Sequence, residues 1–162
     1  MRIWWEAAYL FLLVIVEPLL IAVFWLGYPN HVLHLDASRY NIFLTYVFAA
    51  LSGSLGGVLF DLKWLYHTVA KGEWHDDRRP WRIFVPFISG GLAFAMMALI
   101  SSQVFEVLNR SVVTSHQFAV GFSFLVGYFS DNAIAKLSKL AQSMFGLHPE
   151  KEDGGDSKSG ST

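Results

Sequence analysis

The chain contains no cysteine among its 162 residues, and it has few charged side chains. The missing thiols exclude disulfide frameworks, cysteine nucleophiles, thiolate zinc sites and cysteine-ligated clusters. Charged residues make up only 15% of the chain, against about a quarter in a typical globular protein. The formal net charge of -1 gives no electrostatic reason to expect a nucleic-acid partner.

Short catalytic and metal-binding motifs are also missing from the sequence. It has no HExxH, no GxSxG and no glycine-rich nucleotide loop. His31, His34 and Asp36 lie close together in sequence, and residues 73–77 hold a second small group of metal-ligand types. Two histidines with one carboxylate are a weak metal signal. We therefore expect no catalytic residue, no cofactor and no metal site.

Long apolar runs dominate what is present. A bilayer core needs about 20 apolar residues in a helix, and four runs meet or approach that length: residues 4–26, 42–60, 83–104 and 112–130. Polar residues at 114–117 dilute the fourth run. The first run is too long for a cleaved signal peptide and is expected to remain as an anchor. The sequence predicts an all-α membrane protein with four transmembrane helices, which leaves little chain for a catalytic domain.

The distribution of basic residues predicts the orientation of these spans. Ten of the 12 Lys and Arg residues lie before the first span, between the second and third, or after the fourth. Only Arg39 and Arg110 lie in the other two loops. Because cytoplasmic loops carry the excess of basic residues, we expect both termini in the cytoplasm and a location in a bacterial inner membrane.

Amphipathic segments follow the second and fourth spans. Leu62, Leu65, Tyr66 and Val69 have helical spacing, so the second helix is predicted to continue on the cytoplasmic side until Gly72. A helix over residues 131–145, capped by Ser130 or Asp131, is expected to lie along the membrane surface or against a neighbouring subunit. Residues 1–148 then form one membrane domain, and residues 149–162 a disordered tail.

Glu17 and Pro18 are the most informative pair inside a span. Glu17 lies about 20 Å along the helix from Trp4, well inside the hydrocarbon. Pro18 frees the carbonyl of Val14. One interpretation is a protonatable group that lines a pore, a proton path or a ligand site. The other is a neutral acid that joins helices through a hydrogen bond to Ser52, Ser54 or Ser123.

Small residues recur on the last three spans and predict close helix packing. They serve contacts within one chain or between copies of the chain, and both remain open. Four thin helices enclose little space, so a conducting form requires a homo-oligomer. The predicted packing residues are Ala49, Gly53, Ser54, Gly57, Gly90, Gly91, Gly121 and Gly127.

Arg78, Arg79 and Arg82 form a basic group just before the third span. Their simplest interpretation is contact with anionic lipid headgroups. The alternative is a docking site for an anionic ligand or for a cytoplasmic protein partner.

Two sequence stretches carry a resemblance to known proteins. Arg78-Arg-Pro-Trp-Arg82 with Pro86 leads into the third span, and Gly127-Tyr-Phe-Ser130 closes the fourth. In this layout the chain resembles a loose group of small uncharacterised bacterial four-span inner-membrane proteins. The resemblance implies a membrane module beside a soluble partner, as in the membrane components of antiphage defence systems.

These observations lead to three functional hypotheses. The first is a non-enzymatic, oligomeric inner-membrane module that signals to, or is gated by, a cytoplasmic partner. The second is a small proton-coupled transporter or channel that uses Glu17. The third is a structural subunit of a larger membrane complex.

Overall fold

The computed structural model describes residues 3–72, 79–102 and 115–145. Regular structure in these ranges is entirely helical, without strands. The helices are α1 (Ile3–Trp25), α2 (Asn30–Leu33), α3 (Ala37–Lys71), α4 (Arg79–Ser101), α5 (His116–Tyr128) and α6 (Ser130–Phe145). The predicted all-helical class is confirmed.

Three helices, α1, α3 and α4, are long and apolar enough to cross a membrane. The pair α5 and α6 raises the number to four if the two helices, whose axes differ by 94°, count as one broken span. Helix α5 has 13 residues and is about 20 Å long. It is shorter than the predicted fourth run, whose residues 112–114 lie outside the described ranges. The chain is a multi-pass membrane protein by helix length and hydropathy.

Helix α1 shows the burial pattern of a helix surrounded by lipid. Its fully buried side chains, among those described, are Glu6, Leu10 and Glu17. Large apolar side chains such as Trp4, Phe11, Leu12, Ile15 and Leu19 are exposed. In water the opposite arrangement is favoured, because apolar surface is buried and carboxylates remain solvated. The exposed apolar surface of α1 therefore agrees with its hydropathy.

Helix α3 is the central element, and it packs against α1, α4 and α5. Near one end of the bundle, Phe48 and Ala49 of α3 form a core with Met97 of α4 and Ala119 of α5. Near the other end, Val58 and Leu65 pack on Leu10 of α1. Between these cores the contacts of α3 are made through glycine and serine, which allows backbones to approach closely.

Helix α3, which contains the second predicted span, continues beyond the apolar run as predicted and is capped by Gly72. Gly72 has φ +69°, and its N–H donates to the carbonyls of Thr68 and Val69. A left-handed residue at this position favours glycine. The cytoplasmic part of α3 was predicted to have one apolar face made of Leu62, Leu65, Tyr66 and Val69. Its buried face is rotated from this one, because α1 packs on the side that carries Val58 and Leu65. Thr68 is therefore buried, whereas Tyr66 and Val69 are exposed.

The chain turns sharply between α5 and α6. Ser115 caps α5, and its hydroxyl accepts a hydrogen bond from the Phe118 N–H at 3.1 Å. Phe129 leaves helical geometry, with φ -106° and ψ 34°, and its carbonyl accepts from the Ala133 N–H at 2.9 Å. Phe129 therefore precedes α6, in place of the predicted caps Ser130 or Asp131. The predicted tail over residues 149–162 lies outside the described ranges.

Candidate functional site

Both acids of α1 face the interior of the bundle. Glu6 and Glu17 are separated by 11 residues, which is close to three full turns at 3.6 residues per turn. They therefore lie on one helix face, together with the buried Leu10. Glu17 was a predicted site residue, whereas Glu6 was not. This spacing is the signal that links the two carboxylates.

Glu6 pairs with Arg82 of α4 inside the protein. The Arg82 Nη1 atom lies 2.9 Å from the Glu6 Oε2 atom, and the two side chains are 6% and 8% exposed. Removing one partner of such a pair is strongly unfavourable, because it leaves an uncompensated charge in an apolar interior. Arg82 was predicted to contact lipid headgroups or a protein partner. Its side chain instead lies inside the bundle, where it pairs with Glu6. Arg78 and the side chain of Arg79 lie outside the described part.

Asp61 of α3 is a third buried acid, and its side chain is among the least exposed in the bundle. The residue is 1% exposed and lies between Val58 and Leu65, on the face that packs against Leu10. The Arg82 guanidinium is close enough for its charge to act on the Asp61 carboxyl. The Asp61 Oδ2 atom has no hydrogen-bond partner among the described residues. Asp61 directly follows the predicted apolar run of residues 42–60 and was not among the predicted site residues.

Glu17 binds Ser54 of α3. The Ser54 hydroxyl donates to the Glu17 Oε1 atom at 2.5 Å, whereas the buried Oε2 atom has no partner in the described part of the chain. Of the two other serines considered for Glu17, Ser52 donates to the Val120 carbonyl at 2.6 Å. Ser123 is buried, and its hydroxyl has no partner there. Pro18 is exposed, and α1 continues through it.

Most of the predicted packing glycines lie at contacts within this chain. A methyl group added at Gly53 would overlap the Ala93 side chain and approach the Ser89 carbonyl of α4 to 2.9 Å. A methyl group added at Gly127 of α5 would overlap the backbone of Gly53. The same crowding surrounds Gly57 and Gly90 at the contact of α3 with α4, and Ala49 is buried in the core.

Gly91 and Gly121 differ from the other predicted packing residues. Both are exposed, and a methyl group at either position would meet nothing within 4 Å. Contacts within the described bundle therefore do not explain these two glycines. They lie on outer surfaces of α4 and α5.

Comparison with known proteins gives no further guide to the site. The chain matches no protein-family model, no curated protein and no solved structure. Across residues 3–72, 79–102 and 115–145, no group of three or more histidine, aspartate or glutamate side chains is arranged to hold a metal ion.

The junction of α1, α3 and α4 is thus the candidate functional site. We define this polar junction by Glu6, Glu17, Ser54, Asp61, Arg82 and Ser89. Ser89 packs directly on Gly57, and its hydroxyl is buried without a partner among the described residues. The junction combines three carboxyl groups with one guanidinium and two hydroxyls. Such a set can exchange protons, because a carboxyl group donates a hydrogen bond when it is protonated and only accepts when it is ionised.

Proposed function

We propose that this chain is a non-enzymatic, four-span module of a bacterial inner membrane that communicates with a cytoplasmic protein partner. One observation carries the proposal: α3 is a single helix of 35 residues that runs from the polar junction to an exposed end. Both termini lie in the cytoplasm, in agreement with the distribution of basic residues. The amphipathic α6, which leaves α5 at 94°, lies along the membrane surface.

Helix α3 provides a physical connection between the membrane interior and the cytoplasmic side. Lys63 Nζ donates to the Tyr128 hydroxyl at 3.4 Å, at the end of α5. Beyond Lys63, α3 continues to Lys71, which is about 12 Å at 1.5 Å per residue. Asp61 lies on this same helix, so a change in its contacts shifts the exposed end. The resemblance to membrane components of defence systems agrees with a soluble partner at this end.

Co-purification tests the proposal. The full-length chain is purified from native membranes in detergent, and the mass of the complex and its partners are determined. Lys71 of α3 and Lys139 of α6 are exposed, so Lys71→Glu or Lys139→Glu is expected to release the partner without loss of membrane abundance. Arg39→Glu is the matched control, since Arg39 is exposed at the opposite end of α3. Retention of the same partner by both lysine variants contradicts the proposal.

A proton-coupled transporter or channel is the second candidate function. The buried Oε2 atom of Glu17, which lacks a hydrogen-bond partner in the described part of the chain, favours it, since ionisable groups inside membranes commonly mark proton and ion paths. The measurement is proton flux into liposomes that contain the protein and a pH-sensitive dye. Glu17→Gln and Glu17→Ala are both expected to abolish flux, while Asp131→Asn, at an exposed acid of α6, retains it.

The same variants separate transport from a structural role of Glu17. A glutamine keeps the hydrogen bond to Ser54, whereas an alanine leaves that hydroxyl unpaired. If Glu17 only joins helices, Glu17→Gln resembles the parent and Glu17→Ala lowers membrane abundance. A fully active and normally abundant Glu17→Ala protein contradicts both roles.

A further inference from the structure

The charges buried in the polar junction are unbalanced. Glu6, Glu17 and Asp61 bring three carboxyl groups, and Arg82 is the buried cationic side chain among the residues described. Arg82 already pairs with Glu6 at 2.9 Å. An uncompensated charge in an apolar interior costs several kcal/mol, so such a group becomes neutral or acquires a cation. Arg82 is also close enough for its charge to act on Asp61, so one buried positive charge serves three carboxyl groups within the described part of the chain.

Glu17 and Asp61 each have one carboxyl oxygen that finds no hydrogen-bond partner among the residues described. These oxygens are the Oε2 atom of Glu17 and the Oδ2 atom of Asp61, and each belongs to a side chain that is at least nine-tenths buried. A buried acceptor without a donor is unfavourable, because the loss of its hydration is not offset by a hydrogen bond. A proton on the oxygen removes the charge and converts the acceptor into a donor.

The Glu17 and Asp61 carboxyl groups both lie where α1 packs on α3. Ser54, which binds Glu17, precedes Asp61 by seven residues, or about 10 Å along α3. Gly57 lies between them in sequence, and Ser89 of α4 packs on it with a buried hydroxyl. The Tyr9 phenol of α1 is close enough to Glu17 and Asp61 for both charges to act on it.

We propose that Asp61 is a proton-binding site and that it forms, with Glu17, a two-site proton path along the junction of α1, α3 and α4. Asp61 is the site nearer the cytoplasm, beside the Glu6–Arg82 pair, and Glu17 is the deeper site. Each proton is taken up from water at the cytoplasmic end and is released there or at the opposite end, with no redox change. The path rests on the role proposed for Glu17 and adds Asp61 to it.

Other ionisable groups lie on the helices that pack around this path. On α1 they are Glu6 and Tyr9, and the Tyr9 hydroxyl donates to the Ile83 carbonyl at 3.4 Å. On α4 the group is Arg82. On α5, Tyr128 binds the exposed Lys63, which points about 200° away from Asp61 around α3. Arg82 is placed to respond when Asp61 gains or loses its proton, because its charge acts on Asp61 while it holds Glu6.

Infrared difference spectroscopy tests the proposal on the full-length protein in lipid nanodiscs. Spectra recorded between acidic and alkaline pH are expected to show two bands from buried carboxylic acids. Asp61→Asn removes one band, and Glu17→Gln removes the other. Asp131→Asn, at an exposed acid of α6, keeps both bands. Asp61→Glu keeps a titrating group at the site, and its band is expected to shift in frequency, which provides a readout if Asp61→Asn does not fold.

The outcomes separate this inference from the role proposed for Glu17. Loss of a band in Glu17→Gln, with the Asp61→Asn and Asp61→Glu spectra identical to the parent, overturns the Asp61 site and leaves the Glu17 role standing. Absence of both bands in the parent overturns both. Sodium ions that shift the titration of the Asp61 band would show a cation site in place of a proton site, and would also overturn the inference.

Discussion

At the scale of single residues, the Glu6–Arg82 pair is the contact on which the junction depends. It joins α1 to α4 at 2.9 Å with both side chains almost fully buried. A charge left alone in such a place is far less favourable than the pair, because desolvation is no longer offset by attraction. We therefore expect the two residues to behave as one unit under mutation.

Arg82→Met is expected to lower the free energy of unfolding by about 3–5 kcal/mol, because it leaves Glu6 unpaired. The double variant Glu6→Met, Arg82→Met is expected to recover most of that loss, since no buried charge of the pair remains. Thermal unfolding of the detergent-purified protein measures both. Lys136→Met, at an exposed cation of α6, controls for loss of one positive charge. Equal destabilisation by the single and double variants would contradict the importance of charge pairing.

At the scale of helices, the glycine contacts of α3 hold the bundle together. Gly53 lies between α4 and α5, with Ala93 and Ser89 on one side and Gly127 on the other. Lipid provides no hydrophobic drive for helices to associate, so close backbone packing and hydrogen bonds carry this role. A side chain at Gly53 therefore separates three helices at once.

Gly53→Leu is expected to destabilise the bundle by about 3 kcal/mol, the upper part of the range for overpacking. Gly91→Leu is the matched control, because a side chain at Gly91 meets open space. Membrane abundance and the thermal midpoint in detergent are the measurements. A Gly53→Leu protein as stable as Gly91→Leu would mean that the observed contact of α3 with α4 does not form in the membrane.

The exposed glycines test association between copies. Gly91 and Gly121 lie on outer surfaces of α4 and α5, where a flat face suits a second helix. For a homo-oligomer that uses these faces, Gly91→Leu or Gly121→Leu is expected to reduce crosslinked oligomers in membranes while the monomer remains folded. Arg39→Ala, at an exposed residue near the start of α3, is the control and is expected to leave crosslinking unchanged. Monomer alone in the parent protein would remove the oligomeric module and the oligomeric pore together.

At the scale of the whole molecule, the arrangement of spans in the membrane determines every functional proposal. Three helices meet the requirements for crossing, and α5 with α6 makes a fourth if the bent pair counts as one broken span. Ten of the 12 basic residues agree with cytoplasmic termini only if α5 crosses the bilayer. The packing of α5 on α3 and α4 favours that crossing, because both of those helices are candidate spans.

Reporter fusions test the topology. Cytoplasmic reporters are expected to be active at Gly72 and after Pro149, and periplasmic reporters near His34 or Arg110, because basic residues remain on the cytoplasmic side. Both types of reporter are fused at each position, so that an inactive reporter of one type is checked by an active reporter of the other type. Periplasmic activity after Pro149 would remove the fourth span and place the two ends of the chain on opposite sides.

The sequence by itself determined the helical class, the first three candidate spans and the end of α3 at Gly72. Apolar runs and a glycine at a helix end are local properties, so a single segment is sufficient to read them. Sequence also identified Glu17, because an acid inside an apolar run is conspicuous without knowledge of its neighbours.

Only the tertiary structure decided which polar residues meet. Glu6 and Arg82 are 76 residues apart in sequence, and Asp61 lies where an apolar run ends, so neither local composition nor spacing brings the three together. Ser54 was one of three serines available to Glu17, and the packing of α1 on α3 selected it. Gly53 faces a neighbouring helix and Gly91 faces outward, because the rotation of each helix about its axis decides which small residue meets a neighbour.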